Sequence, residues 1–488
     1  MDAAARAAPS PDAGAARYRE ARAAHWDRVA RWLGGRKGWG RAYQRRLSDV
    51  YRRVVDPGLK ALEIGSGTGD LLAAIRPGEG VGIDLSPGMV ALSRARHPEL
   101  RIIEGDAHDL EAAEGPFQAI LMSDVLNDVW DAQEVLERAL LVSSPETRLV
   151  VNFYSRLWEG PLRLAARLGL TKPNLPQNWL DAHDVSNLLA LAGWEVVRSW
   201  QEILFPFDVP LLAPLCNRFL VRLWPFRFLA LTNFVVARPA PSGARRGPER
   251  PVVSVVVPAR NEAGNVAEIF DRTPETEGGT ELIFVEGHST DDTYGAIERE
   301  MAARPGRRCR LFRQTGKGKG DAVRLGFREA SGDILVILDA DLTVPPEDLP
   351  RFVKVLVSGK GEFANGVRLV YPMEEEAMRF MNLLGNKFFS WAFSWLLGQP
   401  LKDTLCGTKA VWREDYRRIA ANRSVFGDFD PFGDFDLIFG ANRLSLKLVD
   451  VPVRYGERRY GTTNIRRWSH GWLLLRMVAF AARRIKFV

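Results

Sequence analysis

Short runs of β-branched and aliphatic residues recur along this chain, and most close on glycine or an acid before an amphipathic stretch begins. That rhythm restricts the fold more than any single motif. Continuous apolar runs belong to strands buried on both faces, and such strands need helical crossovers between them. Upstream the runs are Lys60–Ile64, Gly80–Asp84, Arg101–Glu104, Ala119–Ser123, Arg148–Phe153, Trp194–Trp200 and Thr232–Ala237. Downstream they are Val252–Pro258, Glu281–Glu286, Arg310–Gln314, Ile334–Leu338, Glu362–Val367 and Lys447–Val453. Between the sets, Arg238–Arg250 reads RPAPSGARRGPER, whose prolines, glycines and arginines neither bury surface nor sustain a strand ladder. The expectation is an α/β protein of two different domains, 18–238 and 251–465, joined by a linker at 239–250. The 488 residues are also too many for one core.

Hydrophobic residues at 46% and charged residues at 26% exclude a disordered, collagen-like or coiled-coil chain. The net charge of +7 favours anionic partners such as phosphates or acidic lipid, and gives no reason to invoke nucleic acid. Cys216, Cys309 and Cys406 lie far apart and match no metal or redox spacing, which argues for a reducing compartment. Residues 1–17 are Ala-rich with no apolar signal core and read as disordered. No run reaches the roughly 18 apolar residues of a spanning helix, so the expected location is cytoplasmic, with peripheral membrane contact left open.

Lys60–Ile75 reads KALEIGSGTGDLLAAI: a strand runs into Gly65, Gly67 and Gly69, and a helix opens near Asp70. Glycines there let the backbone turn tightly against a ligand, and the helix N-terminus offers unpaired N–H groups. The next strand closes on Asp84, about twenty residues on, where an acid can take both hydroxyls of a ribose. A third closes before Asp106. A nicotinamide-binding loop would want glycine where Asp70 stands. The constellation of Glu63, the glycine loop, Asp84 and Asp106 resembles class I S-adenosylmethionine-dependent methyltransferases, over roughly Tyr43–Arg238. That resemblance implies a Rossmann-like fold and S-adenosylmethionine as cofactor. Glu63 and the Gly65–Gly69 backbone would cradle its methionyl end, Asp84 its ribose and Asp106 its adenine amino group. Ser123-Asp124, Asn127-Asp128, Tyr154 and His183 fall where such a fold places substrate, with His183 read as either an acid–base group or a surface histidine. Phe205–Phe228, rich in Leu, Pro and Phe with Arg218, Arg222 and Arg227 interspersed, reads as a lid, an interfacial segment or a packing insertion.

Downstream, the apolar strand in PVVSVVVPARNEAGNV ends at Pro258-Ala259-Arg260-Asn261-Glu262, and the next in ELIFVEGHSTDDT. Adjacent polar strand ends are the usual nucleotide position of an open α/β sheet. Gly316-Lys317-Gly318-Lys319-Gly320-Asp321 then opens a helix, a combination that suits a diphosphate or its sugar. In GDILVILDADLTVPPED a strand terminates in Asp339-Ala340-Asp341. Carboxylates spaced i, i+2 at a strand end can share a hard divalent ion that also grips phosphate oxygens.

The order PARNE, VEGHSTD, GKGKGDA, LDADL, NGVR, DTLCGTKA and RYGTTNI resembles glycosyltransferase family 2, and within it the dolichyl/polyprenyl-phosphate mannose synthases. The resemblance implies a GT-A fold, inversion at the anomeric carbon, a GDP- or UDP-sugar donor, and Mg²⁺ or Mn²⁺. Pro258, Arg260, Glu262 and Glu286 would line the nucleoside pocket, with Lys317 on the donor. Asp339 and Asp341 would hold the metal. Arg368 and Arg379 would face donor or acceptor phosphate, and Arg458 or Arg459, with Gly461 and Thr462, would close a phosphate loop. The chain departs from the family at Glu286-Gly287, where an acid pair is usual, and at Asn464, where lysine is frequent.

A hydroxyl acceptor needs a base, for which Asp434 is the first choice and Asp403 the second; a lipid phosphate needs none. The acidic run around Asp434 reads equally as a helix cap. The tail IRRWSHGWLLLRMVAFAARRIKFV mixes Trp468, Trp472 and Phe480 with arginines and suits a helix at 466–488 lying in an anionic interface. Phe388–Leu397 reads as a prenyl groove or as core. The expected protein is therefore bifunctional, the alternative being a non-catalytic N-terminal scaffold fused to the glycosyltransferase. Its glycosyl acceptor is a polyprenyl phosphate or, alternatively, a glycan hydroxyl, and its methyl acceptor is not legible.

Overall fold

The computed structural model describes residues 11–35, 41–168, 175–241, 247–368, 380–423, 433–458, 460 and 467–488. The chain divides into two compact units, Met1–Ala240 and Pro241–Val488.

In the first unit, β1 (Lys60–Ile64), β2 (Glu79–Asp84), β3 (Arg101–Glu104), β4 (Phe117–Ser123), β5 (Ser143–Tyr154), β6 (Trp194–Glu202) and β7 (Thr232–Pro239) form one sheet. Its order is β3-β2-β1-β4-β5-β7-β6. β7 runs antiparallel to both β5 and β6, and the other pairs are parallel. Leu62, Ile64, Ile120, Met122 and Val151 fill a core on one face, and Ala61, Leu121, Val150 and Phe234 one on the other. Burial on both faces explains the near-continuous apolar runs. The order reverses between β1 and β4, so ligand chemistry is expected at their carboxyl ends.

Two boundaries differ from the sequence reading. Arg238 and Pro239 close β7 in register with Glu195 and Trp194, so the linker expected at 239 begins later. Arg238 is buried and donates to Glu195 at 2.7 Å; the partner on the adjacent strand is what lets an arginine end a buried strand. At the other end, residues 11–17, expected to be disordered, begin the helix Pro11–Gly35.

In the second unit, β8 (Val253–Ala259), β9 (Thr280–Glu286), β10 (Cys309–Arg313), β11 (Ile334–Ile337), β12 (Phe363–Val367), β13 (Lys409–Trp412) and β14 (Leu448–Pro452) are ordered β10-β9-β8-β11-β13-β12-β14. β13 is antiparallel to β11 and β12. It is the strand the sequence reading missed: four residues long, it carries Lys409 and abuts the helix Arg413–Ala421. Both units are α/β, each built on one seven-stranded sheet in which most neighbouring strands run parallel.

Among the described residues no helix is long and apolar enough to cross a membrane. The tail helix Arg467–Ala481 buries Leu474, Met477 and Ala481 in the core that holds Phe389 and Phe393, and leaves Trp472 and Leu475 exposed. In Phe388–Leu397, Phe389, Phe393, Leu396 and Leu397 are core, with Phe388 and Trp391 open.

Candidate active sites

The glycine loop follows β1 with Gly65, Gly67 and Gly69 all at positive φ. A Cβ would strike Val125 at Gly65 and Ser93 at Gly69, so those two glycines serve close packing. At Gly67 it would meet nothing, leaving room above the backbone for a ligand. Asp84 ends β2 and accepts from the Gly67 amide at 2.7 Å and the Ser86 amide at 3.0 Å, holding the loop in shape. Glu63 is buried beneath the loop, accepts from the Leu72 amide at 3.1 Å, and has its carboxyl pushed well up by burial. Its hydrogen bond is thus to the following helix. Asp106 takes the His108 ring at 2.6 Å and Arg19 at 3.1 Å. Burial would raise its pKa, but the hydrogen bonds from His108 and Arg19 outweigh this and hold it at about 2. The space over Gly67, beside Asp84 at the end of the neighbouring strand, has room for the backbone to meet a cofactor.

Sequence reading missed the helix Pro11–Gly35 as a contributor to this edge. Besides Arg19, it sends Arg22 to Asp128 at 2.5 Å and Trp26 Nε1 to Asp128 at 2.6 Å, while Asp27 accepts from the Gly88 amide at 2.8 Å. Beside them lies the expected acceptor region. Asp124, at φ 56°, accepts from the Tyr43 hydroxyl at 2.8 Å and from Asn152 at 2.7 Å. Tyr154 stacks on Tyr43. A non-glycine residue held in the left-handed region stores strain that its surroundings must enforce. Asn127 is buried and donates to the Asn178 carbonyl. His183 is exposed on the first turn of its helix, its amide capped by Asp181, and joins no catalytic cluster.

In the second unit, Asp339 and Asp341 follow β11 as expected, and each holds a cation. Lys319 Nζ lies 2.5 Å from Asp339, and Arg458 bridges Asp341 at 2.8 Å and Glu262 at 2.7 Å. Burial would raise Asp339, but Lys319 holds it below the usual carboxylate range. Burial, with Asp341 adding to it, pushes the Glu262 carboxyl up to about 7 against the pull of Arg458. Thr343 braces Asp341 with its hydroxyl at 2.8 Å. A Cβ on Gly407 would collide with Asp339 and Lys319, so glycine there keeps the pair together. Among the described residues no three His, Cys, Asp or Glu side chains converge on a point. Two carboxylates at one strand end can supply only part of the oxygen shell of a hard ion, and both of these are already engaged by Lys319 and Arg458.

Pro258 is the penultimate residue of β8, Arg260 is exposed just beyond the strand, and Glu286 ends β9, where it accepts from the Ser289 amide. Lys317 points into solvent; Lys319, two residues on and bonded to Asp339, is the lysine at the site. Arg368, expected to face a phosphate, instead forks onto Asp403 at 2.7 and 2.9 Å. Asp403 is fully buried and also accepts from Asn386, Leu405 and Cys406, which removes it as a candidate base. Asp434 opens the helix Asp434–Arg443 and lies 3.1 Å from the buried Lys409. Gly433 and Gly320 touch, so the helix starting at Lys319 meets the one starting at Asp434, joining Asp434 to the Lys319 cluster. Arg379, Arg459, Gly461, Thr462 and Asn464 lie outside the described residues.

Residues 61–146 match the methyltransferase domain, and residues 254–417 match glycosyl transferase family 2. The chain joins a methyltransferase domain to a family 2 glycosyltransferase domain. Its glycosyltransferase half is 30% identical over 219 residues to the dolichol-phosphate mannosyltransferase of Pyrococcus furiosus, covering 44% of this chain and 59% of that protein. It is 26% identical over 213 residues to the undecaprenyl-phosphate 4-deoxy-4-formamido-L-arabinose transferase of Edwardsiella ictaluri, covering 43% and 61%. The chain thus spans about three fifths of the length of these two relatives. The methyltransferase half aligns with the structure of a SAM-dependent methyltransferase from Thermotoga maritima at 16% identity and TM-score 0.35, covering 44% of this chain and 99% of that one.

Proposed function

We propose that the second unit transfers a sugar, with inversion, from a GDP- or UDP-sugar to a polyprenyl phosphate at the cytoplasmic face of a membrane, and that the first unit methylates an acceptor using S-adenosylmethionine. The observation that carries the glycosyl reading is the pair Asp339 and Asp341 at a strand end, each already holding a cation. Asp339 and Asp341 would hold Mg²⁺ or Mn²⁺, which would neutralise the departing diphosphate. Lys319 and Arg458 add positive charge beside the same position and are preorganised by their carboxylates, so little reorganisation is needed when charge develops. Glu262 and Glu286, at the ends of neighbouring strands, bound the nucleoside end. The names of the two curated relatives, a dolichol-phosphate and an undecaprenyl-phosphate transferase, support a polyprenyl-phosphate acceptor. Its nucleophile is ionised near neutral pH, so no side chain must remove a proton.

In the first unit, Asp84 and Asp106 would bind the ribose and adenine of S-adenosylmethionine, with the Gly67 backbone facing its methionyl end. The cofactor supplies the electrophilic methyl group, and the protein's part is to orient an acceptor near Asp124, Tyr43 and Tyr154. Thermal unfolding with a panel of nucleotide sugars, with and without Mn²⁺, tests the donor site. A ligand held at 100 times its Kd stabilises the native state by about 2.7 kcal/mol. The reading expects a metal-dependent shift with one nucleotide class, and it fails if none of them shifts the transition.

A further inference from the structure

β6 and β7 are antiparallel neighbours, which a turn of about 2–5 residues would join. Residues 203–231 join them instead, as short helical turns between Leu212 and Leu229. Polar groups pin this insertion to the sheet: Asn217 clasps the Phe205 backbone at 2.8 and 2.6 Å, and buried Arg222 holds Glu202 and the Gln201 carbonyl. Ile203, Val221 and Leu231 pack inward beside them. Arg46, from the helix Arg41–Val54, ties Glu202 and the Asn217 carbonyl together at 3.0 and 3.1 Å. Other large apolar side chains of the insertion face out. Leu211 is 87% and Trp224 75% accessible, and Phe207, Leu215, Phe228 and Leu229 are exposed with them. Soluble proteins rarely leave so many apolar side chains together on one surface.

Charge identifies the occupant. Within residues 205–229 the one acid, Asp208, is paired with Arg45 at 3.2 Å, while Arg218 and Arg227 lie in the segment with their guanidinium groups 5.5 and 4.9 Å from the rings of Phe219 and Phe228. Arginines that lay their stems along aromatic surface beside an exposed tryptophan suit the headgroup level of an anionic bilayer. The patch continues onto exposed Leu157 and Leu164, next to Trp158, whose indole donates to the Leu229 carbonyl at 2.9 Å. It also adjoins the acceptor cluster: Thr232, where the insertion ends, pairs with Tyr154 across the sheet. We propose that the methyltransferase unit docks on an anionic lipid surface through residues 205–229 and takes a lipid-anchored methyl acceptor from it. The acceptor half of this proposal rests on the methyltransferase reading above.

The test uses the full chain with Cys216→Ser and Cys309→Ser, and an environment-sensitive fluorophore on Leu211→Cys. Vesicles are equimolar phosphatidylcholine and phosphatidylglycerol. The expected result is a blue-shifted label quenched at least about twofold by brominated acyl chains, since an interfacial element buries its apolar face among them. A label that stays in water on vesicle-bound protein overturns the docking surface, because binding then runs through another part of the chain. So does a failure to bind vesicles, or a label buried in a dimer without lipid. With tritiated S-adenosylmethionine and a membrane extract, label should enter the organic phase with the parent chain, and at least about tenfold less with Leu211→Ser/Trp224→Ser/Leu229→Ser. A water-soluble methylated product overturns the lipid-anchored acceptor. Calorimetry separates the two failures: if the parent chain does not bind S-adenosylmethionine the methyltransferase reading falls, whereas unaltered binding by the triple variant with lost transfer indicts docking.

Discussion

At the scale of single residues, the sharpest expectation concerns Asp341. Its carboxylate is shared by Arg458 and Thr343, so Asp341→Asn keeps the shape and removes half of the charge available to a hard ion. Glycosyl transfer should fall at least about 10³-fold, as expected for losing a metal ligand beside a leaving group, with S-adenosylmethionine binding unchanged. Substantial activity at ordinary metal concentration would remove the metal assignment. Gly67→Ala places a methyl group in open space at φ 51°, costing roughly 1–2 kcal/mol for the left-handed backbone. It should abolish detectable cofactor binding by calorimetry while the protein stays folded. Asp434→Asn discriminates acceptors. It leaves Lys409 buried without its countercharge, so stability should drop by about 3 kcal/mol, and rates must be compared per folded molecule. With a polyprenyl phosphate acceptor kcat should stay within about tenfold, whereas loss of a general base costs 10²–10⁴-fold. The acids at strand ends were legible in sequence because a strand's terminus fixes where its last side chain stands. The partners of the arginines were not. Arg368 follows a motif that suggests phosphate, yet Asp403, distant in sequence, claims it, and only the three-dimensional packing could reveal that.

At the scale of elements, the helix Pro11–Gly35 was invisible because its Ala-rich sequence shows little apolar periodicity, and its value lies in the polar side chains it delivers to Asp106 and Asp128. The strand β13 was hidden for the opposite reason, since its buried lysine disguises an interior strand until Asp434 is seen beside it. The long apolar strands were read correctly to within a few residues, as two-sided burial leaves little choice of residue. The loop after β3 yields a pH prediction. The hydrogen bond that the His108 ring donates to Asp106 raises the histidine's pKa against the effect of burial. A histidine raised in the folded state contributes stability that is full below its unfolded value near 6.5 and is lost as pH rises through the folded value. His108→Gln should therefore destabilise most below that pH, by on the order of 1 kcal/mol after solvent screening, and least in alkaline solution. Denaturant midpoints of both proteins across the range would show the gap narrowing. A gap that is constant or widens with pH contradicts the pair.

At the scale of the whole molecule, two domains of different family stand in one chain, and each keeps its candidate chemistry at the carboxyl edge of its own sheet. That much follows from strand order alone, since a doubly wound sheet opens a crevice where its connections reverse. The fold class and the domain families were legible because glycine loops and terminal acids recur at fixed places in such sheets. The acceptors were not, because the candidate acceptor residues of the first unit, Tyr43, Asp124 and Tyr154, are brought together from distant segments. The tail helix illustrates the limit: its arginine and tryptophan pattern suggests a membrane, yet Leu474, Met477 and Ala481 are core, so truncation would damage the fold. The most direct test of the central claim is a single transfer assay. The full chain is incubated with a radiolabelled GDP- or UDP-sugar, Mn²⁺ and undecaprenyl phosphate in anionic vesicles, and label is counted in the organic phase. The account predicts metal-dependent, mild-acid-labile label in the lipid fraction that Asp341→Asn eliminates; label that appears only in a water-soluble glycan, or that forms equally well with the metal chelated, would contradict it.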